Sequence, residues 1–212
     1  MRTDDLLTEL SDALEPVQKG AVARTLAIGL ICGVIGSVLL MMVTIGIRRD
    51  LAQAVEGGAF WMKVTYTLAI AGVGLRIVER SGRPGTDARR PLALLALPGL
   101  AIALLMAIQL APADANRYTL IMGQSSKVCG LLIAFLSIPL FASLFWALRR
   151  LAPTRLTQAG ASAGLLAGSV AASIYASHCP ESAAPFVAIW YTSGILLTTL
   201  VGAALGRWAL RW

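Results

Sequence analysis

The sequence predicts an all-α integral membrane bundle of six transmembrane helices, and two observations carry that prediction. Hydrophobic residues make up 57% of the chain and charged residues 14%, against roughly 45–50% and about 25% in ordinary soluble domains. Charge is almost absent from six runs, 25–47, 60–78, 92–110, 128–148, 159–176 and 186–204, each 18–23 residues long. At the helical rise this length corresponds to about 27–35 Å, the thickness of a hydrocarbon core. Only helices and closed barrels satisfy their own backbone groups there, and barrel strands would alternate at every second residue, which these runs do not. Six buried helices of a soluble protein would need polar faces elsewhere to cover them, and 212 residues do not contain enough.

Taken in order, residues 1–24 form a cytoplasmic tail and residues 25–212 the transmembrane domain. The first run holds Gly29 and Gly33 on one face, and Cys32, which reads as a small buried apolar residue. The second carries Lys63 and Arg76 near its ends, where long side chains snorkel to the headgroups and read as solvated or interfacial. The third ends at Gln109, also read as interfacial. Pro98 in the third and Pro139 in the fourth should kink their helices. The fifth and sixth repeat glycines at spacing four, Gly160, Gly164 and Gly168, then Gly202 and Gly206. Such stripes let backbones approach closely, and packing within one bundle is favoured over dimerisation, leaving the oligomeric state open.

Orientation follows from Lys and Arg in the short loops. With the N-terminus inside, the inner segments hold Arg2, Lys19, Arg24, Arg80, Arg83, Arg89, Arg90, Arg149, Arg150, Arg155, Arg207 and Arg211, whereas the outer loops hold only Arg48, Arg49, Arg117 and Lys127. Both termini are therefore expected in the cytoplasm, with Arg48-Arg49 a local violation. This bias accounts for the net charge of +7 without a nucleic-acid partner. A cleaved signal peptide fits badly, because Asp4, Asp5, Glu9, Asp12 and Glu15 crowd the region where a positive segment is required.

A transporter or proton pump needs ionisable groups at depth, and no run has one at its middle. Haem ligation and di-metal chemistry fit poorly with one histidine in the chain, His178. Without a nucleophile–base pair or a glycine-rich phosphate loop, an enzyme is not expected.

Two features carry chemistry. In the tail, Leu7, Leu10 and Leu14 repeat at helical spacing with Leu6 and Val17 beside them, and Asp5, Glu9 and Asp12 mark the other face. Thr3 is the N-cap of this short acidic helix, and Pro16 ends it at or before Glu15. About twelve residues are marginal alone in water, so the helix is expected to fold by laying its leucines on a partner, a basic protein by charge.

The second feature is Cys129 with Cys179. About 19 residues lead from Cys129 down to the turn near Leu148 and about 20 lead back up to Cys179, so each path covers roughly 30 Å and both thiols reach the same, outer, surface. Facing an oxidising compartment, such a pair forms a disulfide or receives a thiophilic metal, to which His178 could add a nitrogen ligand; a permanent structural disulfide and independent buried thiols are the plainer readings.

These residues resemble the NrsF-type negative regulators, six-helix membrane anti-sigma factors paired with extracytoplasmic-function sigma factors. The resemblance spans nearly the whole chain. It rests on Asp4-Asp5-Leu6-Leu7 leading to Leu14-Glu15-Pro16-Val17, on Cys129, on Trp146-Ala147-Leu148-Arg149-Arg150 with Ala152-Pro153-Thr154, and on His178-Cys179-Pro180 followed by Phe186 and Trp190-Tyr191. It implies that Leu6, Leu7, Leu10, Leu14, Pro16 and Val17 bind the sigma factor, and that Cys129 and Cys179 sense the signal on the periplasmic side. Cys32 matches no position of the family pattern. The resulting expectation is an anti-sigma factor of the bacterial inner membrane that answers a stress signal, requires no cofactor and takes a thiophilic metal ion, if at all, as the signal. A small transporter or channel, and a structural subunit with a fixed disulfide, are the alternatives.

Overall fold

The computed structural model describes residues 20–82, 90–113 and 115–211. The tail helix, and with it Leu6, Leu7, Leu10, Leu14, Pro16 and Val17, lies outside the described residues, as does the loop 83–89. Among the described residues the secondary structure is helical, with no strand.

Helix α1 (Ala21–Thr44) ends in a left-handed turn at Gly46, φ +70°, whose N–H donates back to the Met41 carbonyl at 2.8 Å. Glycine takes this conformation without the Cβ penalty and closes the open carbonyls of the last turn. A short helix α2 (Leu51–Glu56) leads into α3 (Gly58–Ser81). A 3₁₀ segment (Arg90–Leu95) runs into α4 (Ala96–Leu110), so Pro98 sits in the first turn, where its missing N–H leaves no gap in the ladder, rather than at a mid-helix kink. The loop beyond contains α5 (Arg117–Met122). The fourth apolar run is divided at Ser137 into α6 (Ser126–Leu136) and α7 (Ile138–Arg150), because Pro139 cannot donate to the Phe135 carbonyl. Helix α8 (Leu156–Tyr175) and α9 (Ala184–Ala209) complete the chain, α9 carrying a π-helical turn at Val187–Tyr191.

Helix α8 is the axis of the bundle. It packs on α9 and α3 most extensively and also meets α7, α6 and α1, while α1 lies along α7. Its burial comes from small residues. A Cβ on Gly160 would run into the Gly202 carbonyl oxygen, one on Gly164 into the Thr198 carbonyl, and one on Gly206 into the Leu156 carbonyl. Gly29 and Gly33 press in the same way on Ser143, Ala147 and Leu140 of α7. All three stripes therefore serve contacts inside one chain. Because Gly29 and Gly33 take the packing face of α1, Cys32 points away from the bundle beside Ile31 and Ile35 and is exposed, not buried as its residue type suggested.

The outward faces are apolar: Ile31, Val43, Leu100 and Leu200 are 59%, 84%, 68% and 68% exposed. Continuous apolar cover of this kind is stable against lipid and not against water. Exposed aromatics stand near both ends, Trp61 and Tyr118 at one and Trp146 and Trp208 at the other, the positions of an interfacial belt. Five helices are long and apolar enough to cross a membrane, Ala21–Thr44, Gly58–Ser81, Pro91–Leu110, Arg117–Arg150 and Ala184–Ala209. The fifth of the six expected spans is α8, 20 residues long and not among these five, since it is rich in Gly, Ala and Ser and correspondingly less apolar; most of its residues are buried against protein.

Candidate functional site

Where α8 ends and α9 begins, the non-helical link 176–183 folds over one end of the bundle. Cys179 lies in this link and Cys129 on the second turn of α6; both are free thiols with no exposed surface, within hydrogen-bond reach of each other. Residues fifty apart in sequence thus share one buried pocket. Tyr175, on the last turn of α8, and Tyr191, in the π-turn of α9, close it from two sides with ring centroids 5.8 Å apart. The Tyr175 hydroxyl lies near both sulfurs. The Tyr191 hydroxyl is buried without a regular hydrogen-bond partner among the described residues and has the Cys179 sulfur as its polar neighbour. A π-turn inserts one residue into the helical ladder and re-aims the side chains around it, which is how Tyr191 reaches inward.

The link is held by three elements. Lys63 on α3 donates from Nζ to the carbonyls of Cys179 and Glu181, each at 2.9 Å. Its side chain is 1% exposed, so it does not snorkel; burial beside a carbonyl-rich link replaces the headgroup water that its position near the helix end suggested. Arg48, just past α1, donates from Nη1 to the Cys179 carbonyl at 3.3 Å and pairs with Asp50, Nε to Oδ1 at 2.7 Å. This use explains an arginine on the side where arginines are otherwise sparse. Beside it, Asp50 is held down at about 2 by the Arg48 guanidinium. From the α6 side, the Glu181 carboxylate accepts from the Gln124 N–H at 2.7 Å, next to the positive end of the α6 dipole. Gly123, φ +52°, makes room for it: a Cβ there would stand 2.6 Å from the carboxylate carbon.

His178 does not join the thiols. Its Nδ1–H donates to the Gly46 carbonyl at 2.9 Å, and its ring lies 5.7 Å from that of Tyr175. Among the described residues no group of three or more His, Cys, Asp or Glu side chains is placed to hold a metal ion. A histidine nitrogen as third ligand is thereby corrected: the side chain adjacent in sequence to Cys179 is turned onto the end of α1. Gln109 donates nothing to the site but accepts from the Ala184 N–H at 2.8 Å, fixing the start of α9 against α4.

The two thiols differ in their surroundings. The Cys129 thiol donates to Cys179, the Tyr191 hydroxyl and the Glu181 N–H point at the same sulfur, and the Lys63 ammonium lies near, so that Cys179 is lowered from 9.0 to about 6 against the opposing effect of burial. Hydrogen bonds to the anion favour it, and Cys179 is the sulfur that carries thiolate character. Lys63, Arg48, Tyr175 and Tyr191 were not assigned to the site from sequence. Two of them had a usable signal: Lys63 as a charge inside an apolar run, and Arg48 as a violation of the charge bias.

Comparison with known proteins identifies the family. Residues 10–212 match the family described as NrsF, negative regulator of sigma F. The chain is 40% identical over 213 residues to a probable anti-sigma-F factor NrsF of Azospira oryzae and 37% identical over 214 residues to the anti-sigma-F factor NrsF of Caulobacter vibrioides, in each case across 100% of both chains. No solved structure matches. Full-length identity at this level, on a helical bundle built for a membrane, places the chain in the NrsF family of negative regulators of sigma F.

Proposed function

We propose that this protein is a six-span anti-sigma factor of the bacterial inner membrane. It holds an extracytoplasmic-function sigma factor through Leu6, Leu7, Leu10, Leu14, Pro16 and Val17 of its tail, and releases it when Cys129 and Cys179 change state on the periplasmic side. It acts by binding and release rather than by catalysis. The observation that carries the reading is the pair of free thiols, buried and in contact, in a chain whose relatives are named anti-sigma-F factors. Two chemistries suit such a pair: oxidation to a disulfide, or capture of a soft cation that two sulfurs satisfy. The tail sequence carries an acidic, leucine-spaced pattern of the kind that folds as a helix on a basic partner.

The test is co-purification of the sigma factor from membranes. Leu10→Asp with Leu14→Asp is expected to lower retention at least about 10-fold, since two apolar anchors of an interface are replaced by charge. Undiminished retention removes the tail assignment. Cys129→Ser and Cys179→Ser, each tested alone, are expected to bind the sigma factor but not to release it on treatment with oxidant or thiophilic metal; a normal response in either variant removes the sensor assignment.

A further inference from the structure

We infer that Arg48, Lys63 and His178 are positioning residues that tie the Cys179 link to the first two membrane helices, so that a bond formed at Cys179 is transmitted to the end of α1. The inference deepens the proposed function and rests on it for its biological consequence.

The geometry converges on one peptide. Two cations from different elements, Lys63 of α3 and Arg48 beyond α1, donate to the same carbonyl, that of Cys179, at 2.9 and 3.3 Å. Next to it the Arg48 N–H donates to the Ser177 carbonyl at 3.2 Å, and the His178 Nδ1–H donates to the Gly46 carbonyl at 2.9 Å. Residues 46–48 and 177–179 are thus joined by three hydrogen bonds, one of them through the left-handed glycine that closes α1. From that point α1 runs without interruption for 24 residues, about 36 Å, to Ala21, inside the segment 1–24 read as the tail. A rigid helix carries a displacement of one end to the other.

Cross-linking supplies the displacement. When a diazenedicarboxamide oxidises the pair, two thiols give up two protons and two electrons, the N=N bond becomes HN–NH, and a sulfur–sulfur bond replaces a hydrogen bond. The sulfurs must approach. Cys129 is embedded in a regular helix with no exposed surface, whereas Cys179 is in a non-helical link, so the link yields. Its carbonyl is then drawn from Lys63 and Arg48, and the strip to residues 46–48 loosens.

Amide hydrogen exchange of residues 44–51, measured on the full chain in lipid nanodiscs before and after diamide, tests this without any sigma factor. Oxidation of the wild type is expected to speed exchange in this segment by about 5-fold or more, as a local opening does. Arg48→Gln and Lys63→Met are expected to exchange at the raised rate already when reduced, with no further rise on oxidation. Cys129→Ser in diamide is expected to stay at the reduced rate. Unchanged exchange in the fully cross-linked wild type, failure of the pair to cross-link, or a wild-type oxidation response in Arg48→Gln overturns the inference. Faster exchange on oxidation, combined with a sigma factor that stays bound in the separate co-purification, leaves this coupling standing and removes only the sensor reading.

Discussion

Cys129 and Cys179 are chemically equivalent in the sequence and unequal in the fold. Cys179 accepts a hydrogen bond from the Cys129 thiol, with Tyr191, the Glu181 N–H and Lys63 adding to the stabilisation of its anion, and its titration is lowered to about 6. A lowered value means that the thiolate persists down to that pH and is lost only below it. Alkylation of Cys179 by a small membrane-permeant maleimide should therefore keep its rate from pH 8 down to near 6 and fall below that. Cys129→Ala removes the largest contribution to the lowering, so the fall should begin at higher pH in that variant. Mass spectrometry of the labelled peptide reads both; identical profiles in wild type and variant would show that the neighbouring thiol does not set the reactivity. Lys63 teaches a related lesson. Its ammonium donates to the carbonyls of Cys179 and Glu181, which replace the water lost on burial.

At the scale of elements, α8 shows how a helix can be central to a membrane bundle without being the most apolar. In lipid there is no hydrophobic force between helices, so close backbone packing supplies the association, and glycine permits the closest approach. Gly160, Gly164 and Gly168 meet Gly202, Gly206 and Thr198 of α9 with no space for a side chain. Gly164→Leu should destabilise the bundle by about 1–3 kcal/mol or more, as over-packing does, and lower the thermal midpoint in detergent. Gly72→Ala should be tolerated or slightly stabilising, because nothing lies within 4 Å of a Cβ there. Equal effects of the two changes would contradict the packing described. The division of α6 from α7 at Ser137 is likewise an element-scale property: Pro139 interrupts the ladder, and the two halves take separate roles, α6 presenting Cys129 and α7 presenting a face to Gly29 and Gly33.

The molecule as a whole has two unlike ends. The thiol pocket, Lys63, Arg48 and Glu181 gather at one, where α3, α6 and α9 begin and α1 and α8 finish. Most of the remaining described arginines lie toward the other, among them Arg24, Arg149, Arg150, Arg155 and Arg207, with Arg150 over the Trp146 ring at 4.3 Å. On the positive-inside rule we propose that the thiol end faces outside. A reporter active only in the cytoplasm should work when fused after residue 212 and fail when inserted in the loop 111–127; the reverse pattern would invert the bundle. Of this arrangement much was legible in the chain itself. Apolar run length is a local property, set by bilayer thickness and helical rise, so the expected runs coincide largely with helix, the fourth with two, α6 and α7. Counting rise along α6–α7 and α8 was enough to bring Cys129 and Cys179 to one surface, because helices are rigid rulers. The direction in which a side chain points across the bundle is not local. Lys63 read as interfacial and is buried, Cys32 read as buried and is exposed, and His178 read as a third ligand and faces Gly46. Run length and helical rise, both readable along the chain, mark out the helices and bring two cysteines to one end; which groups surround those cysteines depends on which helix faces meet, and helix rotation and pairing are settled by packing between segments far apart in the chain.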